Sequence, residues 1–407
     1  MKIVLFEDNQ CKNLYPLGLF HPLYDLKIGS WTLHSIIKLL EIPVFSIIRE
    51  HFNFNSEKNQ IAEIDNKSPV LFLNASIEPD VRYLEKFKDL LNSGDQFITT
   101  SGNRVAAALV PPGKKIPDNI SAGDISPLLL GMELPLENEM FVTIDWPHEL
   151  VASHLKLWNS NIEKIISKGK YKEKQPGLFT GENIELAPSS VVDTGKGPVI
   201  IDSGTKVMHF TYLEGPIHIG KDSLITEHSS IKDLTSIGIH CKIGGEIEAS
   251  VIDSYSNKQH HGFLGHSWIG KWVNLGAGTS SSDLKNTYGN VRVDYRGNKI
   301  DTEMQFLGSI IGDYAKTAVN TSLFTGKIIG VCSMIYGTVT TNVPSFSNYA
   351  RSIGQVTEIS LEQVIKTQKR MFSRRGVEQK DRDIILMQRV FEMTRHERTM
   401  SEEQINF

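Results

Sequence analysis

Aliphatic residues recur at every sixth position over a long stretch of the second half of the chain. The uninterrupted run comprises Ile201, Val207, Leu213, Ile219, Ile225, Ile231, Ile237 and Ile243. A period of six matches neither a helix face, which repeats at about 3.6 residues, nor a half-buried strand, which repeats at about 2. It is typical of short parallel strands joined by tight turns, with three strands to a coil. The pattern therefore predicts a parallel β-helix of triangular section.

The period slips near Gly244-Gly245 and then returns. The inward positions that we expect after the slip are Val251, Asn257, Phe263, Ile269, Leu275, Ile311, Thr317, Leu323, Ile329, Ile335 and Thr341. Residues 284–305 are mostly polar in these positions and alternate around Gly297. This alternation predicts a hairpin that projects from the β-helix and forms a wall beside it.

The first part of the chain has a different pattern, in which apolar runs alternate with segments of helical spacing. Strands are predicted at 3–6, 44–48, 70–73, 96–100 and 105–110, and helices at 31–40 and 81–91. Such alternation favours an α/β domain of Rossmann-like type with a mainly parallel sheet. Ligands would then bind at the carboxyl ends of the strands, where loops 7–27 and 74–80 lie. We predict domains at 1–180 and 181–345.

The remaining residues, 346–407, are predicted to form a helical tail. Ser360 and Gln363 have capping-box spacing, and a second helix is expected from about Lys380. Both helices would cover the open end of the β-helix. The basic residues of the first helix are Lys366, Lys369, Arg370, Arg374 and Arg375. They form either a solvated helix face or a seat for a polyphosphate such as the nucleotide end of coenzyme A.

Composition narrows the classes of partner. The chain has 407 residues, with 43 basic against 47 acidic residues and a net charge of −4, which argues against a nucleic-acid-binding face spread over the molecule. Three separated cysteines without zinc-site spacing favour a reducing cytoplasm. No apolar run approaches the length of about 18 residues that a membrane span needs. We therefore expect a cytoplasmic protein that binds neither nucleic acid nor membrane.

The loop after the first strand carries the candidate nucleotide-binding residues. Neither a GxGxxG fingerprint nor a P-loop follows that strand. Asp8, Asn13 and Lys27 lie in the loop instead, and Asn74 ends a later strand. The lysine would meet a phosphate and an acidic residue would hold Mg²⁺, although a solvated surface loop is the alternative. The metal ligands stay unassigned.

Residues 255–279 combine three histidines, a lysine, an asparagine and a run of small residues within the repeat. The segments His260-His-Gly-Phe-Leu-Gly and Val273-Asn-Leu-Gly-Ala-Gly-Thr stand out. They closely resemble the acetyltransferase half of the bifunctional UDP-N-acetylglucosamine pyrophosphorylase/glucosamine-1-phosphate acetyltransferases. The whole chain resembles a divergent bacterial form of that family, which has a left-handed hexapeptide-repeat β-helix.

The resemblance implies a role for several residues. His260 would be the general base, Asn274 would bind substrate, and Lys258 would lie near a sugar-phosphate-binding lysine, with one residue of ambiguity. Phe263 and Lys285 would line the substrate site. The backbone N–H of Ala277, between Gly276 and Gly278, would face the acetyl-CoA thioester. The family also implies a sugar phosphate and UTP as substrates, Mg²⁺ for nucleotidyl transfer, and a homotrimer with sites between subunits.

Departures from the family keep alternatives open. Phe263 stands where the family usually has a tyrosine, and Asn74 stands where an aspartate is customary. The Gly-rich nucleotidyltransferase signature is absent. We therefore retain two alternatives: an acyltransferase for another amino sugar with a degenerate, nucleotide-binding N-terminal domain, and a non-catalytic trimeric scaffold. For His261 and His266 a purely structural position is favoured.

Overall fold

The chain folds into two compact units, Met1–Pro147 and a second that begins at His148. The computed structural model describes residues 1–54, 67–117, 120–295 and 297–399. The predicted architecture of an α/β domain, a left-handed parallel β-helix and C-terminal helices is confirmed. The domain boundary at residue 180 stays a prediction. Residues 400–407 of the predicted tail lie outside the described residues.

The first unit is built on one six-stranded sheet. In spatial order its strands are Val44–Ile47, Lys2–Phe6, Val70–Asn74, Arg104–Val110, Phe97–Ser101 and Leu136–Glu137. The first three strands are mutually parallel, whereas Arg104–Val110 runs antiparallel to both of its neighbours. Because a tight turn joins Phe97–Ser101 to Arg104–Val110, these two strands form a hairpin within a sheet that is otherwise parallel.

Short helices cover this sheet. The α-helices are Leu33–Lys38, Tyr83–Ser93 and Ile125–Leu130, and the 3-10 helices are Asn9–Leu14, Leu23–Asp25 and Glu50–Phe52. Thr32 caps the first α-helix by accepting from the N–H of Ser35 at 3.0 Å. The core side of the sheet includes Val4, Phe72 and Ala108, all fully buried.

The second unit is dominated by a solenoid with three faces of parallel strands. The first face contains Leu178–Thr180, Val199–Ile201, Ile217–Ile219, Thr235–Ile237, Val251–Ile252, Trp268–Ile269, Ile310–Ile311 and Ile328–Ile329, and Lys172–Gln175 pairs antiparallel with its first strand. The second face contains Glu185–Leu186, Lys206–Val207, Leu224–Ile225, Lys242–Ile243, Asn257–Lys258, Lys316–Thr317, Met334–Ile335 and Ser347–Ala350, and Gln355–Glu358 pairs antiparallel with its last strand. The third face contains Val191–Asp193, Tyr212–Glu214, Ser230–Ile231, Glu246–Glu248, Phe263–Gly265, Ser280–Ser281, Ser322–Leu323 and Thr338–Val339.

The inward residues of each face stack as the six-residue period predicts, but only as far as Ile243. Beyond it the coil shortens, because Ile237 pairs with Ile252, fifteen residues later rather than eighteen. The predicted inward positions Val251, Asn257, Phe263 and Thr341 are therefore wrong. Their inward places are taken by Ile252, Lys258, Leu264 and Val339.

The long helix Pro147–Lys168 belongs by its contacts to the second unit. His154 Nε2 lies 2.7 Å from the carbonyl oxygen of Leu234, and burial lowers the pKa of His154 to about 4. Outward residues of the first face, including Val251 and Trp268, are fully buried although they do not point into the coil. Apolar outward residues explain why the simple period misassigned Val251.

The hairpin predicted near 284–305 is present as Arg292–Tyr295 paired with Asn298–Asp301. It does not project freely, since Val291, Val293 and Tyr295 are buried. A Cβ added to Gly326, next to the third face, would lie 2.6 Å from Val291 Cγ1. The predicted hairpin is therefore present and packs one side against its surroundings, and its role as the wall of a cleft stays a prediction.

The tail forms helices Leu361–Ser373, Asp381–Met393 and Arg395–Thr399 after a 3-10 turn at Arg351–Ile353. Ser360 caps the first of them by accepting from the N–H of Gln363 at 3.3 Å. The helices pack against the side of the coils: the ring centroids of Phe372 and Trp272 are 4.6 Å apart, and Cys332 Sγ lies 3.6 Å from Met387 Sδ. The expected cover over the open end of the β-helix stays a prediction. In the described part of the chain, no helix combines the length and apolarity needed to cross a membrane.

Candidate active site on the solenoid

The turn at residues 258–262 joins the second face to the third, and its backbone is held at every carbonyl. Three carbonyl oxygens accept from backbone N–H groups: that of Lys258 from Gly244 at 2.6 Å, that of His261 from Gly278 at 3.1 Å, and that of Gly262 from Glu246 at 3.1 Å. The carbonyl oxygen of Gln259 accepts from Thr226 Oγ1 at 3.0 Å, and that of His260 accepts from Lys258 Nζ at 2.6 Å. Donors from both neighbouring coils thus fix the turn. The position from which a side chain leaves this turn is therefore fixed by the backbone.

His260 is exposed on this fixed turn. Among the described residues its imidazole has no hydrogen-bond partner, so both ring nitrogens are available to a ligand. An imidazole nitrogen can accept and release a proton, and this makes a histidine suitable for proton transfer. His261, the next residue, is exposed as well.

Asn274 lies on the second face, one coil after Asn257, with which it forms a parallel bridge. Its Oδ1 accepts from Asn257 Nδ2 at 3.2 Å, and Asn257 Oδ1 accepts from Arg375 Nη2 at 2.6 Å. Burial lowers the pKa of Arg375, which still carries its charge at neutral pH. Asn274 itself is exposed, so its amide nitrogen can donate to a ligand.

Gly276, Ala277 and Gly278 form the turn stacked directly beyond His260. The N–H of Gly276 donates to Thr317 Oγ1 at 2.9 Å, and that of Gly278 donates to the carbonyl of His261 at 3.1 Å. Within the described chain, the N–H of Ala277 has no acceptor. Gly278 has a φ of +75°, and a Cβ there would collide with Asn320 Oδ1. The turn therefore offers one unused backbone donor beside His260.

Phe263 and Lys285 are both half-buried. The ring of Phe263 lies along its own strand toward Gly265, as a Cβ added to Gly265 would lie 2.5 Å from Phe263 Cζ. The Lys285 ammonium approaches a later turn, since a Cβ added to Gly289 would lie 3.7 Å from its Nζ. Neither residue is joined to His260 by a hydrogen bond.

Lys258 occupies a different place from the one that the sequence suggested. Its side chain enters the coil as the stacking partner of Ile243 and is only 2% exposed. Burial lowers its pKa to about 8. The assignment as a sugar-phosphate ligand is therefore corrected, because an ammonium inside the coil cannot contact a phosphate outside it.

Three side chains at the carboxyl ends of neighbouring strands of the third face could hold a metal ion. One ligand atom each of Glu248, His266 and Asp283 lies within 4.8 Å of the others. His266 Nδ1 is 2.8 Å from Asp283 Oδ2, and Phe306 stacks on the imidazole with ring centroids 5.2 Å apart. The sequence favoured a structural position for His266, and the hydrogen bond to Asp283 and the stacking on Phe306 are of the kind that such a position needs.

The first unit brings together two of the four predicted loop residues. Asn74 Nδ2 donates to Asp8 Oδ2 at 2.8 Å. Arg104, which the sequence reasoning missed, donates to the same carboxylate from Nε at 2.7 Å and from Nη2 at 2.8 Å. Arg104 Nη1 also reaches Asp145 Oδ1 at 2.9 Å. The sequence did contain a signal for Arg104, because it is a charged residue at the start of the otherwise apolar strand Arg104–Val110.

Asn13 and Lys27 stay apart from this cluster. Both are half-buried, and neither is a hydrogen-bond partner of Asp8. A second buried pair anchors the same loop: Arg49 donates to Glu7 from Nε and Nη2, both at 2.9 Å. Glu7 also accepts from the N–H of Leu23 at 2.9 Å. The loop is thus a fixed structure with its acidic groups satisfied.

Comparison with known proteins agrees with this two-part organisation. Residues 3–169 match the family model described as sugar nucleotidyl transferase. A bifunctional sugar-1-phosphate nucleotidylyltransferase/acetyltransferase from Sulfurisphaera tokodaii is 35% identical over 143 residues, which cover 35% of this chain and 36% of that protein. The chain is similar to these bifunctional transferases.

Further relatives carry the same kind of name. The bifunctional protein GlmU of a Synechococcus strain is 29% identical over 186 residues, covering 45% of this chain and 35% of that protein. The matches thus span about a third of the length of these curated relatives. Among solved structures, the UDP-N-acetylglucosamine acyltransferase of Francisella novicida is 15% identical with a TM-score of 0.31, covering 55% of this chain and 77% of that one.

Proposed function

We propose that this protein is a sugar-phosphate transferase whose solenoid transfers the acetyl group of acetyl-CoA to the amino group of glucosamine-1-phosphate. The observation that carries the proposal is the exposed His260 imidazole on a fixed turn, beside the unused N–H of Ala277. A base and an oxyanion donor are the two groups that acyl transfer to an amine requires. The similarity to nucleotidylyltransferase/acetyltransferases supports the same activity.

The reaction assigns one task to each group. The sugar amine attacks the thioester carbonyl carbon, and a C–N bond forms as the carbonyl oxygen becomes an oxyanion. His260 accepts the proton that the amine loses. The N–H of Ala277 donates to the oxyanion. The C–S bond then breaks, and coenzyme A leaves as the thiol after His260 returns the proton.

The remaining residues bind substrates in this proposal. Asn274 donates its exposed amide to a sugar hydroxyl, held in place by Asn257 and Arg375. Phe263 supplies an apolar surface to the sugar ring, and Lys285 meets the sugar phosphate. Gly276 and Gly278 keep the Ala277 turn narrow enough for the thioester to approach.

For the first unit we propose uridylyl transfer from UTP to the sugar-1-phosphate, as the family match supports. Mg²⁺, which the resemblance implies, does not fit at Asp8 and Asn74. Both carboxylate oxygens of Asp8 accept from Arg104, and Asn74 Oδ1 accepts from Ser76. A guanidinium occupies the place of a cation, so no catalytic step is assigned to a metal there.

Because the side-chain oxygens of Asp8 and Asn74 already accept hydrogen bonds within the protein, a second candidate function is favoured for the first unit. It would be a domain that binds sugar nucleotide without transferring the nucleotidyl group. Arg104 and Asp8 would then be structural, and phosphate binding would fall to Lys27. Release of pyrophosphate separates the candidates. Incubation with UTP, Mg²⁺ and N-acetylglucosamine-1-phosphate should produce it if the unit is a transferase, whereas binding without release supports the second candidate.

The acetyl transfer is tested by thiol release from acetyl-CoA. We expect release with glucosamine-1-phosphate, and at least about tenfold less with glucosamine, which lacks the phosphate. Galactosamine-1-phosphate and glucosamine-6-phosphate serve as matched acceptors. A preference for either of them would reassign the acceptor, and absence of release with all four would refute acetyl transfer to amino sugars.

We also propose that the protein is a cytoplasmic homotrimer with sites between adjacent subunits. Exposed apolar side chains on the solenoid support a subunit contact; Phe210 is 63% and Val319 is 65% exposed. The N–H of Asn320, next to Val319, donates to the carbonyl of Ala277 at 2.7 Å, which puts this apolar residue beside the proposed site. Analytical ultracentrifugation should give three times the chain mass, and a monomer would refute the trimer.

A further inference from the structure

Lys258 is a lysine in a column of inward side chains that are otherwise mostly aliphatic. Ile243 precedes it in the column and Leu275 follows it. Taking an ammonium out of water is costly unless it is hydrogen-bonded. Among the described residues, its Nζ has two acceptors: the carbonyl oxygens of His260 at 2.6 Å and Gly244 at 3.3 Å. The cation is therefore held by backbone, with no carboxylate to neutralise it.

A pair of glycines makes this contact possible. A Cβ at Gly244 would collide with the carbonyl oxygen of Gln259. A Cβ at Gly245 would lie 2.9 Å from both the His260 carbonyl oxygen and Lys258 Nζ. Gly245 also has a φ of +76°, a conformation that other residues rarely adopt. The Gly244-Gly245 turn therefore lets the ammonium and the His260 turn come together.

The contact also differs in kind from the others that hold the turn. The carbonyls of Lys258, His261 and Gly262 accept from backbone amides, and that of Gln259 accepts from the hydroxyl of Thr226. The carbonyl of His260 alone among these five accepts from a charged group. Charge-assisted hydrogen bonds are roughly twice as strong as neutral ones. The strongest restraint on the turn thus acts at the residue that carries the imidazole.

We propose that Lys258 is a positioning residue for His260, fixing its backbone from inside the coil so that the imidazole leaves the turn in one direction. This inference rests on the proposed role of His260 as the base. Burial lowers the pKa of Lys258 only to about 8, so the ammonium is still mostly protonated at neutral pH. A misplacement of about 1 Å at a reacting group can cost about 100-fold in rate.

The test compares two variants of Lys258 with a control from the same column. Lys258→Met removes the donor but fits an apolar column, and Lys258→Gln keeps a neutral N–H donor on a shorter chain. Ile225→Met is the control, two coils away along the same column. For each full-length protein, kcat and KM for acetyl-CoA and glucosamine-1-phosphate are measured by thiol release, together with the thermal midpoint.

For Lys258→Met we expect kcat to fall about 10- to 100-fold while both KM values change less than about threefold. Lys258→Gln should lie between that variant and wild type, and Ile225→Met should match wild type. A kcat of folded Lys258→Met within about threefold of the control would overturn the inference, as would a change confined to KM. If Lys258→Met does not fold, a wild-type kcat in Lys258→Gln overturns it.

His260→Ala, measured in parallel, separates this inference from the proposed function. Loss of activity in His260→Ala with wild-type kcat in both Lys258 variants refutes the positioning role alone. Unchanged activity in His260→Ala refutes the proposed base, and the positioning role with it. A wild-type protein without thiol release would overturn both.

Discussion

The polar cluster around Asp8 and the turn around His260 satisfy their polar groups in opposite ways. In the first unit, side chains satisfy one another: Asp8 is held by Arg104 and Asn74, and Arg104 is 2% exposed. On the solenoid, the backbone of the turn is satisfied while the side chain of His260 is left free. The difference teaches that a cluster of chemically suitable residues indicates a reactive site only when its functional atoms are not already partnered.

The two regions also differ in the electrostatics of burial. Burial alone would raise the pKa of Asp8, but the hydrogen bonds and charge of Arg104 outweigh it and hold that pKa below its usual range. Lys258 has no opposite charge, and burial lowers its pKa. The first arrangement stabilises an ion pair, whereas the second retains an uncompensated cation beneath the His260 turn.

The comparison predicts its largest effect on stability at Arg104. Arg104→Met leaves the buried Asp8 carboxylate without its counter-ion, so the free energy of unfolding should fall by about 3–5 kcal/mol. Urea unfolding of the full chain measures it. Lys88→Met is the matched control, because Lys88 pairs with Glu85 and both side chains are exposed, at 46% and 71%; we expect less than about 1 kcal/mol. Equal losses in the two variants would refute the structural role assigned to the Asp8 cluster.

A smaller and pH-dependent effect is expected at Lys258. Burial lowers its pKa from 10.5 to about 8 in the folded protein. Between these two pH values the unfolded chain holds a proton on Lys258 that the folded protein has released, so stability is highest above pH 10.5 and falls as the pH is lowered to 8. The stability of wild type relative to Lys258→Met should therefore increase between pH 8 and 10.5, by as much as about 3 kcal/mol.

Urea unfolding of both proteins at intervals between these pH values measures that difference. Lys206→Met is the control, since Lys206 lies on the same face with its side chain 53% exposed; it should differ from wild type by no more than about 0.5 kcal/mol. A difference between wild type and Lys258→Met that stays constant with pH would contradict the buried position of the ammonium.

The smallest effect on stability is expected at Asn274, and it sharpens the contrast with Arg104. Asn274→Ala removes an exposed amide, so unfolding should change by no more than about 0.5 kcal/mol. Loss of one hydrogen bond to the sugar should raise KM for glucosamine-1-phosphate up to about tenfold. Asn298→Ala, an exposed asparagine on the hairpin, should leave KM unchanged. An unchanged KM in Asn274→Ala would remove that residue from the proposed site.

The solenoid was predictable where its repeat is regular and less so near the candidate site. Eight aliphatic residues at constant spacing indicated the coils up to Ile243. The next coil is shortened by three residues, so Asn257 and Lys258 exchange their inward and outward places. A lysine normally indicates an exposed position, and only the pairing of Ile243 with Lys258 reveals that this one is inside.

The cluster in the first unit was less predictable for a different reason. Its members, Asp8, Asn74, Arg104 and Asp145, come from four separate segments that meet only in the folded sheet. Asp8 and Asn74 could be placed at the carboxyl ends of strands, because the alternating pattern favours a mainly parallel sheet. The approach of Arg104 depends on the antiparallel strand Arg104–Val110, whose direction the pattern did not reveal.

The central claim is that the free imidazole of His260 is the base for acetyl transfer. Its neighbour His261 is an exposed histidine on the same turn and provides the closest available control. Thiol release from acetyl-CoA in the presence of glucosamine-1-phosphate should fall by about 10²–10⁴-fold in kcat/KM for His260→Ala. His261→Ala should change it less than about threefold. Unchanged release in His260→Ala, or the larger loss in His261→Ala, would contradict the account.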